Sequence, residues 1–363
     1  MRKIFVLFII LCFMIFSLAV SAYSDSTIRY RNAKTLGMGD ARIAGGFGYN
    51  GFVDNPALLS RAGLLRFSVI NLPIMINKNL IDIAKFINDN NENFQLYDEL
   101  SYEEKEAFVN DLQKHDSKWG HVKVSPMLNI GTNIAGYGVG LAIFNSSDVS
   151  LKMDRGIYEP RVWGQGFSNT TAVISIAKPL LLFYPGLTVG VNLKYMERRR
   201  VSLFQIPASD LGNINETIKP VTNEFKNEKH RTFAMDIGTL WEIPMLDSEA
   251  GATIQSIGDG RGSSIDIGIA KRILSNRLIL LADYIDFFDN NKENIFRKIH
   301  LGAQYKYTIL ALRAGFNSGY PTFGVGLNLR IIDVDYAYYT EELSKTPGGY
   351  EETRHILQFK LGW

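Results

Sequence analysis

The feature that most limits the fold of this chain is a repeated alternation of apolar residues with polar or small ones. It fills runs of about ten residues, among them Leu187–Tyr195, Ile299–Tyr307 and Phe323–Arg330. Because successive side chains of a β-strand point to opposite faces, each run predicts a strand with one apolar and one polar face. A chain built from such strands must either bury their apolar faces in a protein core or expose them to the lipid of a membrane.

The connections between the runs alternate in length. Short ones, such as 134–136 and 272–276, alternate with connections that are longer on average, such as 197–230 and 286–295. Short turns at one end and long loops at the other are typical of transmembrane barrels, and a soluble β-sandwich has no reason to show them. We therefore predict an all-β, transmembrane antiparallel β-barrel of about 14 strands over residues 64–363, with its long loops extracellular. The strands are expected to begin near Leu64, Gly120, Tyr137, Val162, Gly186, Arg231, Glu249, Ser263, Arg277, Phe296, Ile309, Pro321, Ile332 and Glu352.

The first 22 residues have the composition of a signal peptide. Arg2 and Lys3 precede an apolar run that ends in the small residues Ser21 and Ala22. The alternative is an uncleaved membrane anchor, since the apolar run approaches spanning length. Cleavage would remove Cys12, the only cysteine, and leave no disulfide or thiolate site. We expect export and a multi-pass barrel in the outer membrane of a Gram-negative bacterium.

Two segments interrupt the strand pattern. Residues 79–114 read as helical, with Leu80 and Ile83 on one face and a capping box formed by Ser101 and Glu104. This insertion follows the first strand, which places it outside the cell. Residues 23–63 are rich in glycine and irregular. Irregular backbone cannot face lipid, and wall side chains cannot fill the lumen of so wide a barrel, so we predict that 23–63 form a luminal plug.

Two stretches of the plug carry a family resemblance. Ala33–Ala41 and Asp54–Leu59 resemble the start of FadL-type outer-membrane barrels, which are long-chain fatty-acid and hydrocarbon transporters. Related branches include the barrel subunit of type IX secretion and a TraF-like conjugal-transfer group. The resemblance implies an N-terminal hatch inside the barrel, which gates the lumen. The hatch or ligand residues that it implies are Gly37, Gly39, Asn55, Pro56 and Ala57. Asp40, where the family has a small residue, and the helical insertion depart from the pattern.

Charged residues recur at positions that the alternation turns toward the lumen. They are Lys194, Asp236, Asp266, Asp283, Arg313, Arg330, Asp335 and Lys360, and Asp333 would join them after a shift of one residue in register. They form either a structural network of ion pairs or a polar lining that steers a solute or holds the hatch.

The last strand places four apolar residues on one face. These residues, Leu357, Phe359, Leu361 and Trp363, resemble the signal that barrel assembly machinery recognises, although an ordinary amphipathic strand would show the same alternation.

Enzyme chemistry has little support in the sequence. The five histidines are scattered without metal-ligand spacing, and no serine lies in a nucleophile motif. We expect no enzyme activity, metal or cofactor, and the net charge of +2 gives no reason to expect a nucleic-acid partner. The expected partners are outer-membrane lipid and the assembly machinery.

Two functions remain. One is passage or binding of hydrophobic, fatty-acid-like small molecules through the hatch-gated lumen. The other is a closed barrel that serves as a scaffold for a secretion or conjugation protein. A lateral opening in the wall or an apolar pocket beside the hatch would favour passage. A sealed lumen with an apolar patch on the extracellular helices would favour docking.

Overall fold

A computed structural model describes most of the chain after its N-terminal segment. The residues it describes are 29–45, 48–90, 92–93, 96–113, 118–156, 159–180, 185–207, 209–210, 219–227, 229–260, 262–289, 294–344 and 348–362. The proposed signal peptide and its cleavage site lie outside this part of the chain.

The fold is one antiparallel sheet closed into a barrel. Its strands are β1 Arg66–Asn77, β2 Gly120–Val124, β3 Met127–Ile134, β4 Tyr137–Asp154, β5 Arg161–Pro179, β6 Leu187–Pro207, β7 Lys229–Ile243, β8 Ser248–Ile257, β9 Ser264–Ile273, β10 Leu278–Tyr284, β11 Ile299–Tyr307, β12 Leu310–Asn317, β13 Tyr320–Leu329, β14 Ile332–Glu342 and β15 Glu351–Gly362. Both β2 and β3 lie between β1 and β4, so they are two halves of one wall strand, and pairing of β15 with β1 closes the barrel. The predicted fourteen-strand barrel is confirmed, and each wall strand begins within three residues of its predicted start.

The alternation of the sequence becomes two different faces of the wall. Leu141, Ile174 and Leu193 are cross-strand neighbours on the outward face and are 50%, 60% and 57% exposed. Inward positions of the same strands, such as Asn192, are buried. Tyr195 packs against Phe233 at one edge of the outward apolar band, with ring centroids 5.2 Å apart. An apolar band bounded by aromatic residues is the surface that a lipid bilayer requires.

The two ends of the barrel differ as predicted. Tight turns join β3 to β4, β9 to β10, β11 to β12 and β13 to β14 at the end that we call periplasmic. Most connections at the other, extracellular end are longer, although the two residues Ser318 and Gly319 alone join β12 to β13. Among the described residues, no helix has both the length and the hydropathy needed to span a bilayer.

The predicted insertion is helical. Helix α2 covers Lys78–Asp89 and α3 covers Tyr102–Leu112, while α1 (Ala33–Leu36) lies in the plug. The capping box at the start of α3 is confirmed: Ser101 N donates to Glu104 Oε2 at 2.8 Å and Glu104 N donates to Ser101 Oγ at 3.3 Å.

Helices cover the tall part of the wall from outside. Ile83 and Phe108 of α2 and α3 pack with Met153, a residue near the extracellular end of β4. Helix α4 (Lys219–Asn227) likewise packs on Val201 of β6. Strands β4, β5 and β6 have 18, 19 and 21 residues, more than the roughly ten that a bilayer needs, and these helices shield their outer face above the membrane.

Candidate functional site: the plug and the wall around it

The described part of the N-terminal segment from Arg29 to Gly63 packs inside the barrel. Besides α1 it contains two 3₁₀ helices, Gly48–Val53 and Pro56–Arg61. Most of its side chains are buried, and Leu36, Ile43 and Leu58 are fully so. The segment begins near the extracellular end of the lumen, crosses it, and reaches the periplasmic end at Arg61, whose guanidinium lies 2.8 Å from Glu242.

The Asn-Pro-Ala turn is the best anchored part of the plug. Asn55 is fully buried and its side-chain oxygen accepts from Ala57 N at 3.1 Å, which caps the 3₁₀ helix that Pro56 begins. The Nδ2 of Asn55 donates to Ile43 O at 2.8 Å and to Thr239 O of β7 at 3.0 Å. One amide therefore joins two parts of the plug to the wall.

Gly37 and Gly39 lie where plug backbone meets wall backbone. A Cβ on Gly37 would lie 3.0 Å from the Cα of Gly324. Gly39 has φ +64, and a Cβ there would overlap the backbone of Leu301 and Phe316. Position 39 therefore requires glycine, and at position 37 any side chain would press tightly on the wall.

The wall supplies glycines that match this close approach. A Cβ added to any of them would meet the plug within 3.1 Å. They are Gly138, Gly140, Gly190, Gly238, Gly251, Gly268, Gly302, Gly315 and Gly324. They lie on β4, β6, β7, β8, β9, β11, β12 and β13, so the plug touches the wall around most of the barrel. This packing leaves little free lumen around the turn and helix α1.

Buried charged side chains bind the plug to the wall at several levels along the barrel axis. The Asp283 Oδ2 accepts from Arg42 N at 2.5 Å and from Ile43 N at 2.9 Å. The Arg42 guanidinium lies 2.9 Å from Asp40 Oδ2. Arg29 pairs with Asp266 at 2.7 Å near the extracellular end of the barrel. Removing one member of a buried charged pair is strongly destabilising, so this network favours a closed plug.

The buried plug carboxyls have shifted acidities. Burial opposes the charge of Asp40, but Arg42 and Arg31 hold its pKa below the ordinary value. Burial raises the pKa of Asp54, although Arg42 partly offsets this effect. Asp40, which departs from the family pattern, is therefore the charged partner of plug arginines.

Most of the predicted lumen charges do face inward, but they serve different contacts. Lys194 pairs with Asp236 at 2.5 Å, and Arg313 with Asp335 at 2.7 Å. Asp266 and Asp283 bind the plug as described above. Lys360 is half-buried and lies 3.5 Å from Asp333, the residue expected only after a register shift.

Arg330 was predicted on the inward face, and this was wrong. It lies exposed in the periplasmic turn between β13 and β14. The alternation extends one residue past the end of β13 at Leu329, and a turn residue no longer follows the two-residue period. Arg330 therefore does not hold the plug.

The apolar residues of the last strand occupy its outward face. Leu357 and Phe359 are 55% and 40% exposed, and Leu361 continues the same face beside β1. Trp363 lies outside the described residues. The geometry fits an apolar lipid-facing strand, and the assembly role remains a prediction.

A polar cluster at the extracellular mouth was missed by the sequence reasoning. His121 Nδ1 lies 2.6 Å from Ser150 Oγ, and its Nε2 lies 3.2 Å from Glu352 Oε1. Asn77 Nδ2 also binds Glu352 at 2.7 Å. The cluster joins β1, β2, β4 and β15, whose residues are far apart in sequence, and Ser150 is only 5% exposed. Within the described residues, no group of three or more histidine, cysteine, aspartate or glutamate side chains could hold a metal ion.

The ladder between β1 and the second wall strand is interrupted. β1 pairs with β3 over Arg66–Ser68 and with β2 over Ile74–Ile76, but Val69–Leu72 have no ladder partner in either segment. Pro73 ends the interruption and cannot donate a ladder hydrogen bond, so only its carbonyl bonds across, accepting from Ser125 N at 3.1 Å. This is a weak point in an otherwise regular wall.

An apolar cluster lies inside the barrel beside this weak point. It joins plug side chains with inward side chains of β3, β4 and β5. Its members are Tyr30, Phe52, Val53, Leu59 and Ala62 from the plug and Met127, Ala142, Phe144, Val173 and Ala177 from the wall. The ring centroids of Tyr30 and Phe144 are 5.6 Å apart in an edge-to-face arrangement. Met127 is the cluster member next to the interruption, whereas the interrupted part of β1 turns the buried polar residue Asn71 inward.

A small polar cavity runs between the plug and β14, β15, β1 and β3. Its volume is about 40 Å³, and its lining includes Lys34, Asp54, Asn71, Met127 and Lys360. Burial lowers the pKa of Lys34 to about 8. A cavity of this size holds a few water molecules, whereas benzene needs roughly 150 Å³ of apolar space. In this conformation the cavity has no room for a hydrophobic molecule.

No protein-family model and no curated protein matches the sequence. The fold is similar to three solved structures, each at 13% sequence identity. The Pseudomonas putida toluene transporter TodX aligns with a TM-score of 0.55 over 93% of this chain and 98% of its own. The Ralstonia pickettii toluene transporter TbuX aligns at 0.55 over 91% and 98%, and the CymD monoaromatic hydrocarbon channel at 0.52 over 91% and 96%. The closed fourteen-strand barrel, its internal plug and these neighbours together identify the fold of this chain as that of a FadL-type outer-membrane β-barrel.

Proposed function

We propose that this protein passes hydrophobic small molecules across the bacterial outer membrane through a lumen gated by the plug. The observation that carries this proposal is the interruption of the wall at Val69–Leu72, with an apolar cluster beside it that Met127 of β3 joins to the plug residues Tyr30 and Phe52. The free energy of a hydrophobic solute is lower in contact with apolar surface than in water. A route from this cluster through the weak point would spare it the aqueous periplasm.

The plug must move for passage to occur. The neighbouring cavity of about 40 Å³ is polar and too small for a monoaromatic molecule. Displacement of the 3₁₀ helix Gly48–Val53, which carries Phe52 and Val53, would open apolar space beside the wall. The named functions of the structural neighbours, toluene transport and a monoaromatic hydrocarbon channel, support a hydrophobic substrate and a non-enzymatic role.

Docking of a secretion or conjugation protein is the second candidate function. The extracellular insertion exposes Tyr102, Leu96 and Ile81, which are 81%, 47% and 37% exposed. These side chains are scattered over two helices and the segment between them, whereas the apolar cluster lies beside the wall interruption. Passage is therefore the function that the geometry supports better.

Uptake by proteoliposomes tests the proposal. Vesicles with purified protein should take up radiolabelled oleate or toluene faster than empty vesicles, with no gain for glucose. The variant Pro73→Val adds a backbone donor to β1 on the side of the interruption and should slow uptake severalfold. The matched control is Pro321→Val, a change at an outward strand position of β13. Uptake equal to that of empty vesicles would contradict the proposal, and equal rates in all variants would contradict the route through the wall.

We also propose that outer-membrane lipid and the barrel assembly machinery are partners of this chain. The outward apolar band supports the first, and the apolar outward residues of β15 support the second. Cleavage of the signal peptide after residue 22 belongs to the same proposal. N-terminal sequencing of protein purified from outer membranes would test it.

A further inference from the structure

The wall has a tall side, formed by β4 to β6, and a low side, formed by β10 to β13. β6 has 21 residues, whereas β10 has 7 and β12 has 8. At about 3.3 Å per residue, a seven-residue strand extends roughly 23 Å along its axis, and less along the membrane normal once it tilts. This is below the roughly 25 Å apolar height of outer-membrane barrels. The strands of the low side alone do not fill the apolar core of a bilayer.

The two sides also differ in where outward charges begin. On the tall side, Glu197, Arg199 and Arg231 follow directly above the Tyr195–Phe233 pair on the outward face and form ion pairs there. On the low side, the outward positions of β10 to β13 carry no charge from one end of each strand to the other. Those residues, all within the described part of the chain, are Leu278, Leu280, Ala282, Tyr284, Ile299, Leu301, Ala303, Tyr305, Tyr307, Leu310, Leu312, Ala314, Phe316, Pro321, Phe323, Val325, Leu327 and Leu329.

Aromatic residues continue this uncharged face beyond the extracellular end of β10. Tyr284 contacts Phe287, with centroids 6.0 Å apart, and Phe287 contacts Phe288 at 5.4 Å, both edge-to-face. Phe288 is 65% exposed, and Phe296, in the short helix α5 (Ile295–Lys298), is 55% exposed. Phe287 N donates to Ile265 O at 2.7 Å, which fixes the segment to β9. Large exposed aromatic surface that is continuous with a lipid-facing wall is suited to a membrane interface.

We infer that Phe287, Phe288 and Phe296 insert into the outer leaflet and complete the apolar band on the low side of the barrel. The partner is the acyl-chain and headgroup boundary of the bilayer. These rings extend the apolar band beyond the extracellular end of β10 and make up for the shortness of that strand. The outer membrane surface then lies level with the extracellular rim at β10 and well below that rim at β5 and β6. This inference depends on the transmembrane barrel and not on the solute that passes through it.

Site-directed spin labelling tests the inference in proteoliposomes. Single cysteines replace Phe288 or Phe296 in a Cys12→Ser background, which has no other cysteine. Leu193→Cys, within the apolar band, and Tyr102→Cys, on α3, calibrate lipid and water. We expect labels at 288 and 296 to be more accessible to oxygen than to a nickel chelate, as at 193, and the label at 102 to show the reverse.

Two outcomes would overturn the inference. Labels at 288 and 296 that respond like the label at 102 would place the rings in water. Low accessibility to both reagents would show that protein covers them. Heat-modifiable migration verifies that each variant is folded. If a labelled variant does not fold, Phe288→Trp replaces it, and brominated lipid should quench its added fluorescence relative to the parent protein.

Discussion

Asn55 of the plug lies against Gly238 of β7 so closely that a methyl group added to Gly238 would overlap the Asn55 side-chain oxygen. The same added methyl would lie 2.7 Å from Pro56 Cδ. The side chain that caps the 3₁₀ helix is thus seated in a space that only glycine leaves open. The position of the hatch turn depends as much on this wall residue as on the turn itself.

Gly238→Val should therefore displace the turn while the barrel still forms. Valine adds a larger clash than alanine, and overpacking in a well-packed site costs about 1–3 kcal/mol. We expect the amide of Ala57, which Asn55 normally binds, to exchange hydrogen faster in the variant. Ala282→Val, an outward change on β10, is the matched control. Unchanged exchange at Ala57 would show that Gly238 does not position the turn.

Asp283→Asn should loosen the middle of the plug. The Asp283 side chain accepts from Arg42 N and Ile43 N through one oxygen, and leaving a buried donor without its partner costs about 1–3 kcal/mol. We expect the local opening free energy at these two amides to fall by about 1–2 kcal/mol. Native-state hydrogen exchange measures this directly. Asp333→Asn is the control, and an equal effect in both variants would argue against a specific anchor at Asp283.

The outward face should reject charge within the apolar band and tolerate it above. Ile174→Arg lies in the band, where an arginine near the midplane costs about 2–4 kcal/mol. Thr170→Arg lies on the same face of β5, closer to its extracellular end and beside Glu197, and should cost about 0–1 kcal/mol. Urea titration of the folded barrel in vesicles gives both free energies. Similar costs at the two positions would place the membrane boundary elsewhere.

Trp363→Asp, or deletion of Trp363, should impair assembly far more than expression. A charge near the interface costs at most about 1 kcal/mol, so loss of nearly all folded barrel would indicate lost recognition by the assembly machinery. Outer-membrane fractionation with heat-modifiable migration measures the folded fraction. Tyr307→Asp, at an exposed aromatic residue of the outward face near the periplasmic end, is the control. Normal surface levels of the Trp363 variants would reject the signal.

The strands of the wall could be predicted because the pattern that defines each one lies within its own short run of sequence. Alternation sets which face is apolar, and each strand from Tyr137 onward carries its own two-residue period. The interruption at Val69–Leu72 was not predicted, because it depends on the register of β1 against two separate segments, β2 and β3. Arg330 was misplaced for a related reason, since periodicity does not mark where a strand ends.

The plug was predictable as a segment but not as a set of contacts. Its glycine content and its position before the first strand indicated a luminal location, and Asn55 and Pro56 stood out as a turn. The partners of Arg29, Arg42 and Asp40 come from strands more than 200 residues away or from within the irregular segment itself. One sequence signal could have identified the part of the wall on which the plug packs. It is the recurrence of glycine at inward wall positions, as at Gly190, Gly268 and Gly302.

Single-channel conductance in a planar bilayer tests the plugged barrel most directly. The parent protein should show little or no conductance, because the plug contacts the wall around most of the barrel. Replacing Asn55-Pro56 with Gly-Gly removes the cap and the bonds to Ile43 O and Thr239 O, and should give raised or flickering conductance. Equal, large and steady conductance in both proteins would contradict the claim that this segment closes the lumen.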